Sequence, residues 1–435
     1  MQFSTSFFHA RALRCSVCAH LRGLVFVVAL HGMSAAWAAE LNTQPLSLDE
    51  AVRLANAESP AITARRASAE AAADAIAPAG ALPDPQLIAG IDNLPVTTGD
   101  AFSLTDDFMT MRKIGVMQEV PRREKRQLRT ERAQAAAARE QALLTSERLS
   151  VAESVARAWI AVAMTQRRLG LLQELKPRAE AQIAAATAAL SNGRGSAADA
   201  LGARAQRAML ADRISQAQRD VDDARADFAR WLPDSAERPL ADPPDWSALG
   251  VDPDSVIADA AHHRELLAFD AAEQVANADV ALARAEKRPD WSVEFDFAQR
   301  GPRYSNMISL EFRVPLPIFP GGRQDSTIAS KQASLAQIQA EREDARRMHV
   351  AELRKTVAAW RSARERTERY EHELLPLADD RAEAALAAYR GGRGELQAVL
   401  TALDAAIEQR IVYTELENNL GQSWAALHFA FPQER

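Results

Sequence analysis

The chain of 435 residues is 26% charged, 47% hydrophobic and only 6% aromatic, with two cysteines and a formal net charge of −7. Aromatics are scarce for large globular cores, and Ala, Glu, Arg and Gln dominate, as in long helices joined by small-residue seams. The acidic balance argues against binding nucleic acid through phosphate charge. The absence of about 20 consecutive apolar residues beyond the N-terminus argues against an α-helical membrane protein, and two cysteines exclude a disulfide scaffold.

Residues 1–38 carry Arg11, Arg14 and Arg22, then the apolar run Leu24 to Leu30, then Ala36-Trp37-Ala38. This order predicts a secretory signal cleaved after Ala38. Cys15 and Cys18 both precede the apolar run. They are expected to leave with the leader, which would leave the exported chain without cysteine, and neither sits where a lipoprotein cysteine would follow the apolar stretch.

Beyond the leader the sequence repeats itself. Gly193-Arg194-Gly195 recurs as Gly392-Arg393-Gly394, Glu174-Leu175-x-Pro177 as Glu373-Leu374-x-Pro376, and Val120-Pro121 as Val314-Pro315. Pro83-Asp84 likewise recurs as Pro289-Asp290. The order is kept while the spacing drifts by loop-sized insertions, which predicts a first copy over 39–233 and a second over 255–435. The Pro-rich stretch 234–254 between them reads as a linker or small irregular element.

Each copy is predicted to hold two short strands among long helices. In Trp291, Val293, Phe295 and Phe297 the apolar residues alternate with Ser292, Glu294 and Asp296. In Ile308, Leu310, Phe312 and Val314 they alternate with Ser309, Glu311 and Arg313. Copy one is weaker: Leu87, Ala89 and Ile91 form one face, followed by Ile114, Val116 and Val120 against Lys113, Gly115 and Glu119. Period two marks strands. A soluble sandwich would leave such a polar face in water, whereas a transmembrane barrel would turn it to the lumen and the apolar face to lipid. Four strands cannot close a barrel, so membrane-spanning strands would have to be pooled, three chains giving twelve.

The rest reads as helix. From about Arg122 to Leu190 one proline and one glycine interrupt a run that would reach roughly 100 Å. Val151, Val155, Ala158, Val162, Thr165, Leu169 and Leu172 follow the 4,3 spacing of a coiled-coil seam. A turn at Gly193 to Gly195, capped by Ser196, returns the chain, and copy two repeats the plan. Pro177 and Pro376 should kink or interrupt the two long helices at the same height.

A leader, two copies of helix, strand pair, long helix, turn and return helix, and small-residue seams together resemble the TolC-type outer-membrane efflux channels. The stretches Ile91-Asp92-Asn93-Leu94-Pro95 and Phe108 to Pro121 look like the heavy-metal CzcC/CusC branch. The resemblance implies a mainly α homotrimer: a 12-stranded barrel in outer-membrane lipid, continued by a coiled-coil α-barrel into the periplasm. It implies docking through a periplasmic adaptor onto an inner-membrane proton-driven RND pump, with this chain as a passive exit duct. Lys113, Glu119, Glu294, Asp296, Glu311 and Arg313 would then face the pore. Trp291, Val293, Phe295, Phe297, Ile308, Leu310, Phe312 and Val314 would face lipid. Gly193, Arg194, Gly195, Gly392, Arg393 and Gly394 would form the periplasmic tip that meets the adaptor. The family's gate acids fall on Ala398 and Thr401, so Asp199, Glu395 and Asp404 are the candidate gate acids instead.

No catalytic or cofactor motif is present, and no enzyme activity or cofactor is expected. The adjacent pair His262-His263 is a poor metal site, because neighbours on a helix do not face each other. Met109, Met111 and Met117 share the phase of Lys113, and thioethers suit soft cations. Metal cations are the expected cargo, with a drug or organic-solute channel as the alternative. A periplasmic adaptor would have one hairpin flanked by β domains, and a soluble coiled-coil protein would not need the aromatic alternation at Trp291 to Phe297.

Overall fold

The computed structural model describes residues 44–193 and 195–430. The leader expected at 1–38 and the tip residue Arg194 lie outside the described residues. Copy one runs α1 (Leu48–Glu58), α2 (Pro60–Asp74), β1 (Gln86–Asp92), β2 (Met111–Val120), α3 (Arg123–Glu174), α4 (Lys176–Ser191) and α5 (Ala197–Ala229). Copy two runs α6 (Arg264–Ala285), β3 (Trp291–Gln299), β4 (Met307–Arg313), α7 (Ser326–Arg369), α8 (Leu375–Arg390) and α9 (Leu396–His428). At about 1.5 Å per residue, the 52 residues of α3 alone span roughly 80 Å.

Both long helices are interrupted before a proline. In copy one, α3 stops at Glu174 and Pro177 sits in the first turn of α4. In copy two, a π-helical turn over Tyr370–Leu374 precedes α8, whose first turn holds Pro376. The missing N–H and the ring clash forbid proline deeper in a helix, whereas a first turn has spare donors anyway. The sequence predicts the height of both breaks but not their difference in form.

The core lies where the two copies meet. Leu46, Ile62, Val151, Val155, Trp159, Ile160, Phe228, Leu232, Trp360, Leu420 and Leu427 are buried in one cluster. Stretch 234–254 is irregular yet packed into this cluster through Ala236, Trp246 and Leu249, rather than standing free as a linker. Leu46 forms a parallel bridge with Leu240. Tryptophans on the long helices hold these extended segments in place. The Trp159 indole donates to the Leu46 carbonyl and the Trp360 indole to the Trp246 carbonyl, each at 3.0 Å. The buried donor of each ring is thereby satisfied.

Expected seam residues Val151, Val155, Val162 and Leu172 are buried, while Ala158, Thr165 and Leu169 are partly buried. A second, smaller cluster of Leu172, Leu175, Ala217 and Ile411 closes around the copy-one helix break.

Replacing the fully buried Trp159 by Ala should lower stability by about 3–5 kcal/mol. Trp159→Phe should cost much less, because the Leu46 carbonyl keeps the Ala241 N–H at 3.1 Å. Urea unfolding followed by circular dichroism checks the ranking.

Candidate functional site

The four strands form one antiparallel sheet in the order β1-β2-β3-β4, and the β2–β3 pairing joins the two copies. Register assigns the faces. Leu87 pairs with Val116, Val116 with Phe295, and Phe295 with Leu310. The same face carries Ile114, Phe297 and Ile308, then Val293 and Phe312, then Trp291 at the strand end. These side chains are largely exposed: Phe312 is 64% and Leu87 73% accessible. Val314 lies one residue beyond the end of β4, outside the sheet.

The opposite face is polar and is wired across all four strands. Lys113 on β2 reaches Asp92 on β1 at 3.5 Å and Glu294 on β3 at 3.8 Å. The second Glu294 oxygen meets Arg313 on β4 at 2.7 Å, and Arg313 also grips Glu311 of its own strand at 3.0 Å. Asp296 sits against Gly115, where a Cβ would lie 1.9 Å from its Oδ1, so only glycine fits opposite that carboxylate. The sequence predicts these acids on a wet face, whereas within the chain Glu294 is only 2% and Asp296 5% exposed. Long cationic neighbours and the absent side chain at Gly115 account for that shielding. Glu119 and Asp92 share this face, which therefore sets five carboxylates against the cations of Lys113 and Arg313.

The methionines do not assemble into a track. Met111 and Met117 lie on the polar face, six residues apart and so roughly 20 Å along the strand. Met109 is outside β2. The Met117 sulfur is approached by the Arg313 guanidinium at 3.9 Å, which disfavours a cation there.

At the far end of the long helices, Gly193 and Gly392 take φ of +67° and +70°, the left-handed conformation that ends a helix at glycine. Gly195 and Gly394 complete the turns, and the Arg393 backbone N–H caps α8 by donating a hydrogen bond to the Ala388 carbonyl at 3.0 Å. The copies then differ. In copy one Ser196 and Asp199 form a reciprocal capping box that starts α5. The Ser196 amide and hydroxyl hold the Asp199 carboxyl below its usual pKa. In copy two Glu395 occupies the N-cap of α9 without a side-chain cap bond. Asp404 lies about 12 Å further along α9, where it accepts a hydrogen bond from Gln206 of α5 at 2.9 Å. Burial raises its pKa. The three candidate gate acids thus occupy two levels, and Asp199 already serves a structural bond.

One further cluster was not anticipated. His263, the residue before α6, is fully buried, and its Nδ1 lies 2.8 Å from Nε2 of His349 in the middle of α7. Glu265 Oε2 is 3.5 Å from the same His349 nitrogen. Sequence adjacency drew attention to His262, which is exposed, whereas the spatial partner of His263 is 86 residues away. Burial, followed by the neighbouring His349, lowers the His263 pKa to about 4. Burial also lowers that of His349.

These depressed values fix the sign of a pH effect. Both rings are kept neutral in the folded chain, so the unfolded chain takes up protons first as pH falls. Their contribution to stability is complete above about pH 6.5 and is lost as pH drops towards 4. A thermal-melting series from pH 7.5 to 4.5 should show a falling midpoint, and His263→Gln should flatten that acid limb. An unchanged slope in the variant would assign the acid sensitivity elsewhere.

A model of the family described as outer membrane efflux protein matches residues 51–232 and again 259–431. No curated protein matches the chain at the level of sequence. Among solved structures, a membrane protein from Pseudomonas aeruginosa superimposes with a TM-score of 0.76 at 17% identity, covering 88% of this chain and 92% of the other. The outer membrane protein VceC from Vibrio cholerae gives 0.72 at 17% identity, over 88% of this chain and 95% of the other. CusC, described for its folding and transmembrane channel formation, gives 0.73 at 13% identity, over 88% and 92%. At these identities the structures establish the fold, and the family model, matched in both halves, establishes the kinship. The duplicated chain belongs to the outer membrane efflux protein family, the non-enzymatic TolC-type channels that sit in the outer membrane and extend into the periplasm.

Proposed function

We propose that this chain is the passive exit duct of a tripartite efflux system, that it works as a homotrimer, and that its cargo is heavy-metal cations. The observation that carries the duct is the four-stranded sheet. Among the described residues no helix is long and apolar enough to cross a membrane. The sheet has one face of exposed aromatic and aliphatic side chains, and among the described residues β1 and β4 each have one edge without a strand partner. Unpaired backbone groups are not tolerated in lipid, so β4 of one chain pairs with β1 of the next, and three chains close twelve strands. Trp291, Val293, Phe295, Phe297, Ile308, Leu310 and Phe312 then meet lipid, and the ion-paired face lines the lumen.

The cation reading rests on the excess of carboxylates on that face, together with the resemblance of residues 91–95 and 108–121 to the heavy-metal branch. An acidic lumen concentrates cations and repels anions. The long helices carry the duct away from the membrane. Their Gly193–Gly195 and Gly392–Gly394 turns present the surface for a periplasmic adaptor, which couples the duct to the inner-membrane RND pump.

Reconstituted in planar bilayers, the channel should prefer cations, and Glu294→Gln combined with Asp296→Asn should reduce that preference severalfold without abolishing conductance. Deletion of the gene should sensitise cells to a subset of copper, silver, zinc, cobalt, cadmium and nickel, with rescue by the intact chain. Sensitivity confined to lipophilic drugs would reject the metal cargo and leave the duct standing. Failure to form pores at all would reject the duct.

A further inference from the structure

Away from the sheet and the tips, three side chains of the second copy converge as metal ligands do. His263 Nδ1, His349 Nε2 and a Glu265 carboxylate oxygen lie within 4.8 Å of one another. The sequence positions them by fixing two helices. His263 and Glu265 stand at the start of α6, where His263 is the N-cap residue and Glu265 falls in the first turn. His349 comes from α7, packed against α6 along its length. The two rings stand nearly edge to face, 71° apart with centroids at 4.9 Å, and their facing nitrogens lie 2.8 Å apart.

We propose that His263, His349 and Glu265 form a site for a borderline divalent cation of the zinc class, with two imidazoles, one carboxylate and a fourth position open to water. This set of donors suits zinc, cobalt, nickel or copper(II), and an open position is what three protein ligands leave. In the empty chain one proton bridges the two facing nitrogens at 2.8 Å. A cation takes the place of that proton, which moves to the other nitrogen of the ring that carried it, so that both rings stay neutral and present a lone pair to the cation. Bond lengths of about 2.0–2.1 Å in a tetrahedral arrangement put donors about 3.3 Å apart, so the rings need to part by only about half an ångström. Glu265 Oε2, at 3.5 Å from His349, is already at that spacing.

The surroundings support the ligands. Arg264 binds the other Glu265 oxygen at 2.7 Å and also pairs with Glu153 of α3, which leaves Oε2 directed at His349. Such outer partners orient ligands in metal sites. The charges facing the cluster are Arg264 on one side and Glu153, Glu265 and Asp259 on the other, an acidic excess that a divalent cation offsets. Neutral rings at pH 7 are ready donors, and burial keeps both in that form. Glu265 is partly exposed and provides the way in from solvent. Occupied, the site clips the beginning of α6 to the middle of α7. It is independent of the cargo, since a drug-exporting duct would hold it equally well.

The full-length channel, purified in detergent and stripped with chelator, should be titrated with cobalt(II) alone and followed by its visible absorption. The expected result is one cobalt per chain with the intense bands of a four- or five-coordinate site, displaced by zinc. His349→Gln and, as a milder surface variant that leaves the core intact, Glu265→Gln should each weaken binding tenfold or more. His262→Gln should leave it unchanged. Cobalt bound with equal affinity by the wild type, His349→Gln and Glu265→Gln would overturn the assignment, as would a wild-type chain that shows only the weak bands of hydrated cobalt.

Discussion

A backbone N–H or C=O that meets hydrocarbon without a partner is one of the costliest groups in protein structure, and the sheet of a single chain has two edges where such groups lie open among the described residues. The outer edges of β1 and β4 are unpaired among the described residues, on a sheet whose apolar face is also bare. The same elements explain why the helices are long, polar and poor in large side chains. In the proposed barrel the closed sheet needs no help from a soluble core, so the helices would serve length and lateral packing rather than burial. Small residues on α3, α5 and α9 allow close approach, and Trp159 and Trp360 place large side chains only where the two copies meet.

The junction between sheet and helices is held by a separate clasp. Asp290, immediately before β3, accepts the Arg122 amide at 3.0 Å and the buried Lys125 ammonium at 2.9 Å, just where β2 gives way to α3. Arg122 also donates to the Pro289 carbonyl at 2.9 Å. These bonds run from copy two to copy one, so the strand pairs are fixed to each other at the level where the sheet ends. A buried, paired lysine at such a point restricts the angle between sheet and helix more than it adds net stability.

Much of this plan is legible in the residues. Alternation at Trp291 to Phe297 gives both the strand and its faces, because period two leaves no other geometry. The recurring glycine turns and the Glu-Leu-x-Pro pair locate the helix ends and breaks, since glycine and proline act through the backbone itself. Other features depend on distances that sequence separation hides. The burial of Glu294 follows from Lys113 and Arg313 arriving from neighbouring strands. The packing of residues 234–254 follows from Trp360 and Trp424, whose indoles donate to the Trp246 and Ala248 carbonyls more than a hundred residues away in the chain. The histidine cluster was obscured for the same reason: His262 is adjacent in sequence, whereas His349 is adjacent in space.

The duplication is also less symmetrical than its sequence suggests. One copy interrupts its long helix with a plain break, the other with a π-helical turn, which inserts an extra residue into a winding of 3.6 per turn. One return helix begins from a locked capping box and the other from a glutamate that makes no side-chain cap bond. Six helical hairpins arranged around a threefold axis would then be three of one kind alternating with three of another, differing in rotation and in how firmly their ends are pinned. In the proposed assembly, a protein that grips the rim would meet two classes of foothold. The looser class is the one whose return helix starts without a side-chain cap.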